Sequence, residues 1–543
     1  MALTEMDPAA HHAGVMASDQ ERLVAALADP RRFAPPCAKV TVLQTHISYV
    51  LLTGRYAFKI KKAVNLGFLD FTTIASRRFF CEQELRLNRR LAPALYLDVV
   101  AITGTLAAPA VGGSGAVLEY AVKMREFPQE ALASLVLARG ELAQTDIDTL
   151  AAKVAAFHAG SERAPPASGF GNADAVLQTA LANFDVLRSG AASLAERSVV
   201  EMLAAWTLQE HAACAPALVA RQHDGFVREC HGDLHLGNIA VIDGEVTIFD
   251  CIEFSDAMRW IDVMSEIAFT AMDLADRGRT GLSHRFVNAY LEITGDYAGL
   301  AVLRFYLVYR ALVRAKIALL RANQVPAGED RSSLLAERDG YLRLAQGYAR
   351  APTPAIVITH GVSGCGKTTL SQTLLEQVGA VRIRTDIERK RLHGIAPLAH
   401  GEVVAGLYSR DATRRTYDRV LAIAAGVVAA GFVALVDGTF LQRRQRDRFR
   451  ALAQERGIPF VVVAFAASDA ALRKRVVERA RHGADASDAD VAVLEYQLRS
   501  RESLSAEESA HAVAYDADAP LAAAQSPHAW LAVIERIGGS GNP

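Results

Sequence analysis

Ala355-Ile-Val-Ile-Thr-His-Gly361-Val-Ser-Gly364-Cys-Gly366-Lys367-Thr368-Thr369 decides the architecture of the C-terminal third of this chain. An apolar run ends in G-x-x-x-x-G-K-T, and helix-forming residues follow through Leu375. Strand, glycine-rich turn and helix, in that order, aim backbone N–H groups and one lysine at a chain of phosphates. Gly361, Gly364 and Gly366 let the backbone wrap the anion. Lys367 bridges the β and γ groups, Thr368 faces Mg2+, and Thr369 stands beside it in the first helical turn. Strand-like runs recur at 355–360, 381–385, 432–436 and 459–465, with helical patterns between them. That alternation predicts an α/β layout, a parallel sheet with helices on both faces.

The residues after each run carry chemistry. Asp386 opens the segment after the second strand and can receive a proton from an acceptor hydroxyl. Asp437 ends a buried apolar run, where a carboxylate can hold a metal ion through water. Arg473, Arg475, Arg479 and Arg481 cluster after the fourth run; Arg475 and Arg479, spaced i, i+4, can reach one anion together and stabilise a phosphoryl group in transfer. The bland reading of such a basic helix is a solvated face. No N-K-x-D motif for guanine is present. Residues 354–535 resemble the P-loop kinase branch that includes gluconate kinase-like, polynucleotide kinase-like and zeta-toxin-like ATPases, which are often labelled AAA-type.

A second constellation lies upstream. His231-Gly-Asp233-Leu-His235-Leu-Gly-Asn238 is followed by Ile248-Phe-Asp250. The spacing suits a loop followed by a short hairpin, turning at Asp243-Gly244, that returns Asp250 to the neighbourhood of Asn238. Asp233 can orient an acceptor hydroxyl and take its proton, while Asn238 and Asp250 offer hard oxygen ligands to Mg2+. His235 reads as a buttress of the loop, and Asp262 as a structural residue. Short alternating runs at 40–44, 49–53 and 56–60 predict strands, 77–91 predicts a helix with Phe80, Glu84 and Leu87 on one face, and 117–122 predicts another strand. From Gln129 to Arg350 the pattern is mostly helical except around 226–254. A small β-rich lobe ahead of a larger helical one is a kinase-like plan.

H-G-D-L-H-x-G-N with the downstream I-x-D resembles the aminoglycoside phosphotransferase and choline kinase group of the protein-kinase-like superfamily. The resemblance implies that Lys59 holds the α and β phosphates of ATP and that Glu84 is its ion-pair partner, with Lys61 and Glu82 as competitors for these roles. It departs from protein kinases in lacking G-x-G-x-x-G before Lys59; the turn Gln44–Ser48 stands in its place. The order of the two halves resembles a bacterial family described as an aminoglycoside phosphotransferase/ATP-binding bifunctional protein, on segments such as Lys61–Phe71 and Phe226–Ile239.

The totals bound the rest. At 543 residues two or three domains are expected. The divisions read as a disordered tail 1–20, a kinase-like α+β bilobal domain 21–350, a linker 351–354 at Ala-Pro-Thr-Pro, an α/β P-loop domain 355–535, and a tail 536–543. A net charge of −1 excludes bulk attraction to nucleic acid or an anionic membrane. Six scattered cysteines without a C-x-x-C pair argue against zinc and disulfides and fit a reducing cytoplasm. No signal peptide is read at the N-terminus, and the apolar stretch 420–436 reads as a buried helix followed by a strand, not a membrane span.

The expected function is an ATP- and Mg2+-dependent kinase with two nucleotide sites acting on hydroxyls of small molecules. The alternatives are one catalytic half with a nucleotide-sensing partner, or a polynucleotide- or toxin-like kinase activity in the C-terminal half. Few aromatics near Asp386 (Tyr408, Tyr417, Phe440) lean away from nucleic acid. Arg304, Arg310, Arg314, Lys316 and Arg321 lie in a stretch without acids. If they border an acceptor pocket they favour an anionic substrate; the alternative is a solvated or domain-packing face.

Overall fold

The first sheet is antiparallel, and its central strand, 56–61, is buried along nearly its whole length. The computed structural model describes residues 4–5, 19–67, 69–191, 193–351, 353–396, 409–482 and 489–538; the side chains at 4–5, 166, 479–482, 524 and 527 lie outside that description. Most of the tail expected at 1–20 therefore falls outside it. Strands β1 (Thr4–Glu5), β2 (Thr41–Gln44), β3 (Ser48–Leu52), β4 (Tyr56–Lys61), β5 (Tyr96–Thr105), β6 (Ala108–Val111) and β7 (Val117–Arg125) form an antiparallel sheet in the order β1-β2-β3-β4-β7-β5-β6. The expected strands are present, and β1, β5 and β6 are additional to them, β1 lying within the tail expected at 1–20. Lys59 and Lys61 lie two apart on β4, so both point to the same face.

The helix Ile74–Asn88 covers that face. It is started by Thr73, whose hydroxyl accepts the Ser76 N–H at 3.1 Å. It begins three residues earlier than the apolar spacing suggests, because the cap and not the first apolar residue sets a helix start. Arg77, Cys81, Glu84 and Leu87 are buried along it. A charged residue thus lies on the inward stripe, and it needs partners there.

Two short strand pairs carry the motif loops. Antiparallel β8 (Val227–Glu229) and β11 (Trp260–Asp262) frame the loop, and β9 (Ile239–Ile242) with β10 (Glu245–Ile248) forms the expected hairpin. Asp243 and Gly244 both have positive φ, 51° and 81°, the geometry of a two-residue turn whose twist matches its strands.

The C-terminal sheet is parallel, in the order β13-β14-β12-β15-β16, with β12 (Ile356–His360), β13 (Val381–Arg384), β14 (Ala434–Asp437), β15 (Phe460–Ala466) and β16 (Ala512–Asp516). The expected α/β layout is found, with a fifth strand that its mixed pattern concealed. β12 is buried along nearly its whole length, as a strand covered on both faces must be. The 420–436 stretch is the end of the helix Arg410–Ala429 followed by β14. Among the described residues no helix is long and apolar enough to cross a membrane.

By packing, residues 1–149, 156–175 and 221–270 form one unit, and 150–155, 176–220 and 271–543 form another. Within the second unit the helix Thr280–Thr294 lies on the helix Lys367–Val378. His284 meets the Glu376 carbonyl at 2.8 Å, and Arg285 pairs with the Glu376 carboxylate at 2.9 Å. In the same unit Arg304 donates to the carbonyls of Tyr348 and Arg350, Arg314 donates to Tyr341 Oη at 3.2 Å, and Arg321 lies 3.8 Å from Glu337. This basic stripe packs against the helix Glu329–Tyr348 and its C-terminal end, matching the domain-packing alternative.

Candidate functional sites

The loop 231–238 is held rigidly by its own backbone. Gly232 has φ +89°, and a Cβ there would stand 2.7 Å from the Met258 carbonyl, so only glycine fits. The Glu266 carboxylate accepts the N–H groups of His231 at 2.9 Å and Gly232 at 2.7 Å, and its other oxygen lies 3.0 Å from His158 Nε2. Burial would raise its pKa, but these donors, with His158 foremost, pull it down to about 2. His231 Nε2 lies 2.9 Å from the Phe249 carbonyl, tying the loop to the hairpin end; burial lowers its pKa and keeps it neutral.

On this frame Asn238 Nδ2 donates to the Asp233 carbonyl at 2.9 Å and to its carboxylate at 3.0 Å. His235 accepts the Gly237 N–H and lies 3.4 Å from Asp233, the buttress expected of it. Asp250 sits at φ +64°, a strained conformation for a non-glycine residue, with its N–H on Tyr96 Oη. Its carboxylate accepts Lys59 Nζ at 2.5 Å, and Lys59 also pairs with Glu84 at 2.8 Å. Lys61 pairs with the other Glu84 oxygen at 2.7 Å and with Glu253. Burial opposes the Lys59 charge, but Asp250, Glu84 and Glu253 hold its pKa well above the ordinary lysine value. Burial likewise favours protonated Glu84 and Asp250, yet the lysine charge keeps both below the ordinary carboxylate range.

Asp233 is thus joined to Asn238, and Asp250 to Lys59 and Glu84. Glu82 pairs with Arg78 on the surface. Lys61, read as a competitor of Lys59, shares Glu84 with it, and Glu253, Glu266 and Tyr96 join the network without having been singled out. The two lysines at i, i+2 on one strand were a local signal for Lys61. Glu266 has none, since its partners lie 34, 35 and 108 residues away. Asp262 is structural, bound by Arg221 through two hydrogen bonds of 2.7 and 2.9 Å. In the turn 44–48, Thr45 Oγ1 takes the N–H groups of Ile47 and Ser48, so these amides close the turn itself.

The second constellation is an open cavity of about 1280 Å³. Gly364, Gly366, Lys367, Thr368 and Thr369 form one end, and Asp386, Asp437 and Arg475 line the same space. Gly364 has φ +85°, and a Cβ there would come within 2.9 Å of Val476. Gly361 is not on the wall; its φ is +148°, and a Cβ there would stand 2.8 Å from both Cys365 Sγ and the Phe465 carbonyl, which gives it a packing role. Lys367 Nζ donates to the Val362 carbonyl at 2.9 Å. The Thr368 hydroxyl donates to Asp437, whose other oxygen lies 3.5 Å from Thr359. Asp386 pairs with Arg389 at 3.1 Å. Arg475 donates to the Ala517 carbonyl at 2.8 Å, and the Arg479 side chain lies outside the described residues. Tyr417 and Phe440 are buried, and Tyr408 is outside the described residues. Gln497 accepts the Ser363 N–H at 2.7 Å, a contact without a sequence signal.

Comparison with known proteins adds to this geometry. Residues 76–306 match the phosphotransferase enzyme family, APH, and residues 356–504 match an AAA domain, AAA_33. The uncharacterized protein Rv2004c of Mycobacterium tuberculosis is 31% identical over 451 residues, which cover 82% of this chain and 88% of the relative. An uncharacterized protein of Mycobacterium bovis matches to the same extent. Among solved structures, a choline/ethanolamine kinase family protein from Mesorhizobium loti is 14% identical with a TM-score of 0.38, covering 62% of this chain and 96% of that one. A gluconokinase from Sinorhizobium meliloti is 23% identical with a TM-score of 0.26, covering 34% and 94%.

Proposed function

Since the chain belongs to the same family as these mycobacterial proteins, and its phosphotransferase and AAA domains make it an ATP-dependent phosphotransferase, we propose that it holds two nucleotide sites. Each passes the γ-phosphate of ATP to a hydroxyl of a small molecule. The modules are 21–350 and 355–535, with 351–354 between them. The observation that carries the reading is a repeated set: each half offers a lysine for phosphates (Lys59, Lys367), a carboxylate for the acceptor (Asp233, Asp386) and oxygen ligands for a metal ion.

Hard oxygens suit Mg2+. Asn238 and Asp250 would hold it in the first site, and Thr368 and Asp437 in the second, where a bound ion would offset charge on the phosphates. The chain's own residues do the rest. Lys59, held by Glu84, and the P-loop amides with Lys367 fix the phosphate chain. Asp233 or Asp386 orients the acceptor hydroxyl. As its oxygen bonds to the γ-phosphorus, the bond from phosphorus to the ADP oxygen breaks and the hydroxyl proton passes to the aspartate. Arg475, with Arg479 as its helical neighbour, would stabilise the transferring group.

The test is phosphoryl transfer from γ-labelled ATP to a metabolite pool by wild type, Asp233→Asn and Lys367→Ala. Each substitution is expected to remove a different product, by roughly 10³-fold. One product removed by one substitution alone points to the second reading, in which one half senses nucleotide. Arg382 favours that reading: it donates to Glu292 at 2.7 Å and to the Thr368 carbonyl at 3.2 Å, linking the 280–294 helix to the P-loop helix.

A further inference from the structure

The cavity at the P-loop is larger than the usual span of about 300–1,000 Å³ for a site holding one small ligand. Besides the P-loop, two helices, Arg410–Ala429 and Arg443–Arg456, supply part of its wall. Each turns an i, i+4 pair of arginines to the cavity: Arg410 and Arg414 on one, Arg444 and Arg448 on the other. Eight lysine and arginine side chains line the whole cavity against five aspartates, a surplus of three positive charges.

The five aspartates are already occupied. Asp437 takes the Thr368 hydroxyl, Asp386 pairs with Arg389, Asp411 with Arg414, and Asp418 with Arg448 at 2.7 Å, while Asp490 accepts the Val493 N–H at 2.8 Å. The uncompensated cations divide between two places. Lys367, at the phosphate end, rests on the Val362 carbonyl and Cys365 Sγ with no carboxylate partner, whereas Arg475, on the Ala517 carbonyl, has Asp518 3.9 Å away as counter-charge. Arg444 rests on the Gln442 side-chain oxygen, and Arg410 makes no hydrogen bond or ion pair to a described residue; both are exposed lining residues on these two helices. A phosphate chain partly neutralised by a metal ion answers the first. Nothing in the nucleotide answers the second.

We propose that the acceptor of the P-loop half is an anionic small molecule, an alcohol already carrying a phosphate or carboxylate group, which Arg410 and Arg444 hold while its hydroxyl faces Asp386. This rests on the kinase reading of that half. The transfer balances as above: the γ-phosphoryl moves to the alcohol oxygen, ADP leaves, and the alcohol proton goes to Asp386. A nucleic-acid strand is disfavoured because sequence-tolerant binding of single strands uses exposed aromatic platforms. Among the described lining residues the exposed aromatic is Tyr496, one residue from Gln497 and its bond to the P-loop Ser363 N–H, with none on the arginine wall.

The experiment is calorimetric titration of the full chain, saturated with Mg2+ and a non-hydrolysable ATP analogue, with inorganic phosphate and with acetate at matched ionic strength. Wild type is compared with R410A/R444A and with the charge-preserving R410K/R444K. The expected result is anion binding that weakens about tenfold or more in the alanine variant and survives in the lysine variant, with analogue affinity unchanged. Phosphate binding more tightly than acetate assigns a phosphate ester as acceptor, and the reverse assigns an acid. No anion binding to the loaded wild type, or equal binding by the alanine variant, overturns the proposal, as does a 5′-hydroxyl oligonucleotide that binds this wall more tightly than phosphate. Loss of analogue binding with the anion overturns the separation of acceptor from nucleotide. If wild type and Lys367→Ala bind the analogue equally, the kinase reading itself has failed; if only the anion result fails, that reading stands.

Discussion

Lys59 and Lys367 serve the same task in the two halves, and the protein treats them in opposite ways. Lys59 is buried and already paired with Asp250 and Glu84. Lys367 sits in an open cavity and donates only to neutral groups, the Val362 carbonyl and Cys365 Sγ. In the first half the charge is compensated within the fold, so a nucleotide must share Lys59 with Asp250 and Glu84. In the second the charge waits for a ligand. One site is therefore part of what holds its unit together, and the other is a feature added to a sheet that stands without it.

The largest test of that contrast removes a lysine from the first network. Lys61 is 1% exposed and bridges Glu84 and Glu253. Lys61→Ala leaves the buried Glu253 without its cation and Glu84 with Lys59 alone, and is expected to cost about 3–5 kcal/mol in urea denaturation. Replacing both partners, Lys61→Met with Glu253→Leu, should cost less than Lys61→Ala, because one charge of each sign is removed and the balance of the cluster is unchanged. Equal or additive losses would mean that packing and not charge balance holds the cluster.

Acid probes the same half next. Glu266 has its pKa lowered from 4.5 to about 2. A carboxylate with a depressed native pKa adds stability that is complete above its unfolded value and disappears as the pH falls through the native one. The expected contribution is about 3 kcal/mol at neutral pH, lost between pH 4.5 and 2. Denaturation at stepped pH should show that slope in wild type and a flatter one in Glu266→Gln.

What the sequence reveals follows the same divide. The P-loop is local: its glycines, lysine and threonine lie within eight residues, and backbone geometry alone makes the site, so the motif suffices. The first site is assembled from β4, the 74–88 helix and the 231–250 segment. Its motif loop and hairpin were legible because their spacing is short. Lys61 was visible only as a rival to Lys59, since periodicity puts two lysines on one face without saying that Glu84 has two oxygens to offer. Glu266 and Tyr96 act through contacts that no local pattern encodes. Strands β5, β6 and β16 were missed because their alternation is broken by bulges, prolines or polar residues.

Ligand protection comes third in size. ATP at a hundred times its dissociation constant should stabilise the chain by about 2.7 kcal/mol for a site that binds only the folded state. Thermal unfolding with Mg2+ and the ATP analogue should show a shift that Lys367→Ala removes in part. If Lys367→Ala leaves the whole shift in place, the open cavity is not where the nucleotide binds.

The smallest effect is the sharpest. Without nucleotide, Lys367→Ala is expected to change stability by at most about 1 kcal/mol. The side chain is partly exposed, its bonds are one to the Val362 carbonyl and a weak one to Cys365 Sγ, and no carboxylate is left unpaired by its removal. Losing a surplus like charge from a cavity with three extra cations can even offset those bonds. Matched urea curves of Lys367→Ala and Lys61→Ala then compare an uncompensated with a compensated lysine directly. A loss at Lys367 as large as that at Lys61 would show that the P-loop lysine is also built into the fold, and the contrast between the two halves would fall.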